Sequence, residues 1–283
     1  MRIETKHAIK QFLLGILNLA IAIGLMVAVR ILAHGHLSDR ALNILAIVIM
    51  ATAYLGGTRV IEHIHLTEFD DAGGIGEFPS GLILGFCLFS TTMLLLWLLS
   101  VYHPTGWEAP SGLGKSALSA LSAAIVEEIM FRGFLFRLIA RLAGTWWALL
   151  VTAALFGAAH AFNPGATLVS SMAIAIEAGV LLGAAYALTQ RLWLPIGLHA
   201  AWNFTESSVY GMSVSGTGHA RGFIAGTLTG PNLLTGGQFG PEASLIAVLV
   251  CLSAASFLLW RVIRLHRIQP PLSHQPIPLP SKQ

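Results

Sequence analysis

The chain has 283 residues, 55% of them hydrophobic and only 10% charged, with a mean hydropathy of +0.74. A soluble domain of this length cannot bury so much apolar surface, so the composition excludes a water-soluble globule and predicts an integral membrane protein. The formal net charge of +3 comes from basic residues scattered at the ends of apolar runs; with no basic stripe, nucleic acid is excluded as a partner.

At about 20 residues per membrane span, apolar segments fall at 12–33, 42–58, 81–102, 116–138, 145–162, 166–189, 192–209 and 243–262. They predict an all-α, polytopic bundle of about eight transmembrane helices, with one transmembrane domain over 1–268. The first run lacks a small-residue cleavage site and is long enough to span, so it reads as a retained helix and not as a signal peptide. The turn formers lie between these runs: His34 to Arg40, a polar stretch from Glu62 to Ser80, the segment HPTGWEAPSG, and a glycine-rich stretch from Gly211 to Pro241. Five prolines between Gln269 and Gln283 predict a disordered tail over 269–283. Cys87 and Cys251 both lie inside apolar runs and read as small buried hydrophobes.

Basic residues in the connections set the orientation. With both termini cytoplasmic, the inside carries Arg2, Lys6, Lys10, Arg59, Arg137, Arg141, Arg191, Arg261, Arg264, Arg267 and Lys282, against Arg40, Lys115 and Arg221 outside. The expectation is a bacterial inner membrane protein with cytoplasmic termini. Arg30 and Arg132 fall within spans and stay out of this comparison; Arg30 is close enough to an end to snorkel.

Polar side chains inside the spans are the next signal, because an ionised group at the bilayer centre costs about 2.5 to 3.5 kcal/mol on the mildest scale and is usually functional. Glu127, Glu128 and Arg132 stand in the fourth span, with Glu128 and Arg132 four apart on one helical face and Glu127 turned about 100° away. Phe156 and His160 are four apart in the fifth span, and His199 and Asn203 four apart in the seventh. Glu177 reads as an interhelical partner or a cavity-lining group, and Glu206, three residues after Asn203, can reach the same face. His63, His65 and His103 sit in connections and read as solvated, and the Asn203-Phe204-Thr205 glycosylation pattern falls within a span and reads as a chance match.

Hydrolysis of an amide needs a base for water, an acid for the leaving nitrogen and donors for the oxyanion. A carboxylate shielded from water is the stronger base, so Glu127 with His160 can activate water, while Asn203 and His199 offer amide and imidazole donors. There is no Gly-x-Ser-x-Gly nucleophile context and no His-Glu-x-x-His helix. The same residue types leave other readings open: a zinc-dependent membrane hydrolase, a proton-coupled transporter, or a non-catalytic scaffold that binds a partner. An internal repeat with matching broken helices, which would favour a transporter, is not visible. One geometric tension stands: Glu127 lies about 15 Å from the cytoplasmic end of its span and His160 about 23 Å from the start of its own, a mismatch to be absorbed by tilt, a kink near Gly157 or different boundaries.

Glu-Glu-x-x-x-Arg at 127 to 132, Phe-x-x-x-His at 156 to 160 and His-x-x-x-Asn at 199 to 203 resemble, in order, the three motifs of the CPBP family of intramembrane proteases. This family is also known as the CAAX protease and bacteriocin-processing, or Abi, family and includes the Rce1-type prenyl-protein endopeptidases. The resemblance covers about residues 115–210, and TGGQFGPEAS is similar to the connection before the last helix in bacterial members. It implies a glutamate-dependent endopeptidase without metal or other cofactor. Glu127 and His160 would activate water, His199 and Asn203 would hold the oxyanion, and Glu128 with Arg132 would support the site. Its substrate would be a membrane-associated peptide or protein, prenylated in the Rce1-type enzymes, while other relatives mature peptides or confer bacteriocin immunity.

Overall fold

The computed structural model describes residues 3–63, 66, 68–69, 71–110, 112–218 and 221–274. Arg2, His65, Asp70, Lys282 and the tail from 275 onward lie outside the described residues. Among the described residues, eight long helical stretches follow one another: Ile3–Ala33, Asp39–Glu62, Asp71–Leu98, 113–143, Thr145–His160, Leu168–Thr189, 193–209 and Leu245–Arg264. The all-α membrane class is as expected. By length and composition alone, five of the eight are long and apolar enough to cross a bilayer; the fourth carries the charged site, and the fifth and seventh are shorter. Leucine, isoleucine and valine side chains of the first three helices and the last are broadly exposed, as a lipid-facing surface requires. Cys87 is among the exposed residues, so it faces outward and is not buried as its apolar context predicts, whereas Cys251 is buried.

Local chemistry explains where helices begin. Ser38 Oγ accepts the Ala41 N–H at the start of the second helix, and Ser244 Oγ accepts the Ala247 N–H at the start of the eighth. Thr167 and Ser170 form a reciprocal capping box before the sixth. The fourth and fifth helices turn on Gly144, whose φ of 85° suits a residue without a Cβ.

The third helix begins at Asp71, ten residues before the predicted span, so most of the stretch read as a polar connection is helical. Its glycines favour a connection only until their partner is seen. A Cβ on Gly74 would press on the Trp193 indole, and one on Gly81 or Gly85 would run into the Leu194 or Leu198 carbonyl oxygen. A Cβ on Gly197 would in turn run into the Phe78 carbonyl oxygen. The third and seventh helices therefore meet backbone to backbone, the small-residue packing that membrane helices favour. Gly157 does the same between the fifth and sixth helices, against the Ser171 carbonyl.

Four helices contain wide, π-type turns, at Ala53–Glu62, Ile129–Phe136, Ala175–Val180 and Thr205–Val209. Such turns gather at functional sites, and here each contains or adjoins a buried glutamate: Glu62, Glu128, Glu177 and Glu206. Glu62 opens the stretch that reads as a polar connection, yet it is buried and accepts Arg137 Nη2–H at 2.9 Å.

Successive helices run in opposite directions, so their connections gather at two ends. One end holds a feature that the sequence pattern did not predict, a two-stranded antiparallel sheet of β1 (Tyr102–Trp107) and β2 (Ile224–Leu228), with Tyr102 opposite Leu228 and Trp107 opposite Ile224. HPTGWEAPSG lacks apolar alternation, so only its partner makes it a strand. Burial pushes the Tyr102 phenol at this sheet up to about 12.

Candidate active site

The fourth helix ends at Ala143, five residues later than the predicted boundary. Glu127 is then about 24 Å from that end, and His160 about 22 Å from the start of its helix at Thr145. The tension in the sequence reading disappears, since both residues reach the same depth.

Glu128 and Arg132 are wholly buried, and Arg132 Nη1 donates to Glu128 Oε1 at 2.9 Å. Arg132 Nη2 reaches the Ala178 and Gly179 carbonyls at 3.2 and 3.1 Å, in the π-type turn of the sixth helix where hydrogen-bonding geometry is already disturbed. Its guanidinium also lies 4.8 Å from the Phe156 ring centroid. One buried arginine thus joins the fourth, fifth and sixth helices. Phe156 is buried and packs against Phe131, His160 and His199.

Glu128 Oε1 also accepts His199 Nδ1 at 3.0 Å. A carboxylate only accepts, so Nδ1 carries the proton, and Nε2 is left 4.0 Å from Glu127 Oε2. His160 Nδ1 lies 2.8 Å from the Phe156 carbonyl oxygen, which fixes its proton in the same way and leaves Nε2 free. Both imidazoles are therefore held by Nδ1 and offer Nε2.

Glu127, His160, His199 and Asn203 line one cavity of about 620 Å³. Lys115, Ser119, Asn163, Ser215 and Thr217 also border it. The loop bearing Ser215 is tied to the fifth helix's end by Asn163 Nδ2, which donates to the Ser215 carbonyl at 3.0 Å. A second cavity, of about 420 Å³, lies between the first, second and fourth helices and meets the first at Ser119, Ala123 and Glu127. Arg30 borders this second cavity.

Behind the site is a small inner pocket bordered by His160, His199, Asn203, Glu177, Glu242 and Cys251. Glu177 lines a cavity and pairs between helices, as both parts of its reading anticipated: its Oε2 accepts Cys251 Sγ–H at 3.3 Å. Glu206 does not border the main cavity; it is buried beside Glu242 and Gly240. Glu242, which sequence reasoning missed, accepts Ser215 Oγ–H at 2.7 Å. A glutamate among glycines and prolines looks like any loop carboxylate, and only its burial separates it from one.

Fold and site together define a class: a membrane helix bundle with carboxylates and imidazoles facing a shared cavity. Residues 109–205, which hold all seven residues of the three motifs, match the family model described as type II CAAX prenyl endopeptidase Rce1-like, and over that stretch the chain is similar to this family. Comparisons with curated proteins and with solved structures gave no match. The family supports a CAAX-type intramembrane endopeptidase in general terms, acting on membrane-associated substrates.

Proposed function

We propose that the protein is an intramembrane glutamic endopeptidase. The observation that carries this reading is the shared cavity, where Glu127, His160, His199 and Asn203 converge from three helices. Glu127, helped by His160 Nε2, takes a proton from water as the water oxygen attacks the scissile carbonyl carbon. The carbonyl π electrons move onto oxygen, and the oxyanion is held by the Asn203 amide and by His199 Nε2–H in the doubly protonated ring. The tetrahedral intermediate collapses, the C–N bond breaks, and the proton held by Glu127 passes to the leaving nitrogen. Glu128 and Arg132 keep His199 in place from behind.

Metal independence is part of the proposal. Its support is that among the described residues no three His, Cys, Asp or Glu side chains are grouped to hold a metal ion. Membrane-associated peptides or proteins are the substrates, with prenylated CAAX C-termini the class that the family implies. The membrane is the bacterial inner membrane, and both termini are cytoplasmic.

The test is peptide release by purified protein in detergent, from a farnesylated CAAX peptide and from a pool of non-prenylated membrane peptides. Wild type should cleave at least one of them with or without a zinc chelator, and Glu127→Gln should not. Cleavage that survives Glu127→Gln would refute the glutamate mechanism.

A further inference from the structure

We infer that the turn at 214–217 is a clamp for the substrate backbone, and that Glu242 holds this clamp in shape from behind. The inference rests on the protease reading above and deepens it by naming where the peptide chain is gripped.

Thr217 N–H donates to the Val214 carbonyl at 2.9 Å and closes a four-residue turn. Its central residues, Ser215 and Gly216, have φ of 47° and 75°, the positive pair of a type I′ turn. Glycine enters that region freely, but a serine stays there only where its surroundings hold it. They do so here. Ser215 Oγ–H donates to the buried Glu242 carboxylate at 2.7 Å, and the Ser215 carbonyl accepts Asn163 Nδ2–H at 3.0 Å. Gly216 N–H donates to the Phe239 carbonyl at 2.7 Å, and a Cβ on Gly216 would run into the Pro164 carbonyl oxygen.

Type I′ turns ordinarily join the strands of a hairpin, and this one joins no described strands. It borders the main cavity instead, at Val214, Ser215 and Thr217, together with Glu127, His160, His199 and Asn203. Ser215 also borders the inner pocket beside Asn203 and Glu242. Held backbone in a rare conformation at the wall of a catalytic cavity is strain placed where function uses it.

The donors of the turn are divided. Gly216 and Thr217 N–H donate to carbonyls, and Gly218 N–H donates to Ser213 Oγ at 3.3 Å. Among the described residues, the Val214 and Ser215 N–H groups have no acceptor. An extended peptide offers a carbonyl oxygen at every residue, the acceptor that free backbone donors recognise whatever the side chains are. Glu242 is then a positioning residue: it acts through the Ser215 hydroxyl and sets where these donors stand.

The test separates binding from chemistry. A dye-labelled peptide that wild type cuts in detergent is titrated against Glu127→Gln protein carrying each variant, and KM and kcat are measured with Glu127 intact. Ser215→Gly accepts the turn's φ but loses the tie to Glu242, and Glu242→Ala loses the same tie from the other side. Each should raise Kd and KM about two- to tenfold, the share of a hydrogen bond, with kcat unchanged. The double variant should rise no further than either single one. Glu242→Gln keeps an acceptor for the Ser215 hydroxyl and should bind as wild type does. A thioamide, a weaker acceptor, walked along the peptide backbone should weaken binding at one position, and this loss should vanish in Ser215→Gly. If Glu242→Ala does not fold, Ser215→Gly decides. Unchanged Kd and KM in Ser215→Gly, or a fall in kcat alone, overturns the clamp and leaves the protease reading intact. A wild type that cuts no peptide in detergent refutes the protease reading and the clamp with it.

Discussion

His199 Nδ1 lies 3.0 Å from Glu128 Oε1, so an imidazole of the seventh helix is aimed by a carboxylate of the fourth. The same oxygen holds Arg132 at 2.9 Å. Glu128→Gln leaves the arginine buried without its counter-charge, a loss of about 3 to 5 kcal/mol for a pair of this kind. Thermal melting in detergent should fall together with peptide release. An unchanged melting curve would remove Glu128 from its structural role. The double variant Glu128→Gln/Arg132→Met should regain part of the stability without activity, because His199 stays unaimed.

Glu127 behaves differently, since its side chain is 27% exposed and its nearest ionisable partner is 4.0 Å away. Glu127→Gln should melt close to wild type while turnover drops by about 10² to 10⁴, the usual contribution of a positioned base. Single-turnover peptide release beside a melting curve separates the two quantities, and a turnover near wild type would rule Glu127 out as the base.

Asn203 borders the cavity and supplies a neutral donor. Asn203→Ala should lower kcat by about 10² to 10³ with KM little changed, as for the loss of one oxyanion donor. A rise in KM at constant kcat would assign Asn203 to substrate binding instead.

Chelators address the metal question directly. Dialysis against a zinc chelator should leave the rate of peptide release unchanged and the melting curve in place. Loss of activity restored by zinc would show that His160, His199 and Glu127 serve as ligands.

Gly85 is the packing test. The Leu198 carbonyl occupies the space its Cβ would need, and Leu198 adjoins His199. Gly85→Val should therefore lower the melting temperature and the activity together, with the third helix pushed off the seventh. Wild-type melting would show that the two helices need not touch there.

These residues also show what a single sequence can reveal. Glu127, Glu128, Arg132, His160, His199 and Asn203 were visible because a polar group in an apolar span is an exception, and spacings of four put pairs on one face. The bundle was equally legible from span length. The start of the third helix was not, because Gly74, Gly81 and Gly85 resemble turn glycines until Trp193 and the seventh helix lie against them. Glu62 and Arg137 are 75 residues apart, and no local pattern joins them. Glu206 stands three residues after Asn203, but the wide turn from Thr205 to Val209 takes it off the expected face and against Glu242. The later end of the fourth helix, at Ala143, was hidden because Arg137 and Arg141 look like a boundary when one of them is in fact buried.

The fifth helix has only 16 residues, from Thr145 to His160, and Leu150 and Leu155 on its flank are exposed. It is about 24 Å long, against a hydrocarbon layer of about 30 Å. A short span draws the surrounding lipid inward, so a bilayer around the helix that carries His160 would be locally thinned. Acyl-chain length then becomes a property of the enzyme's surroundings that bears on hydrolysis: shorter chains shrink the hydrophobic barrier between water and the scissile bond, and longer chains restore it.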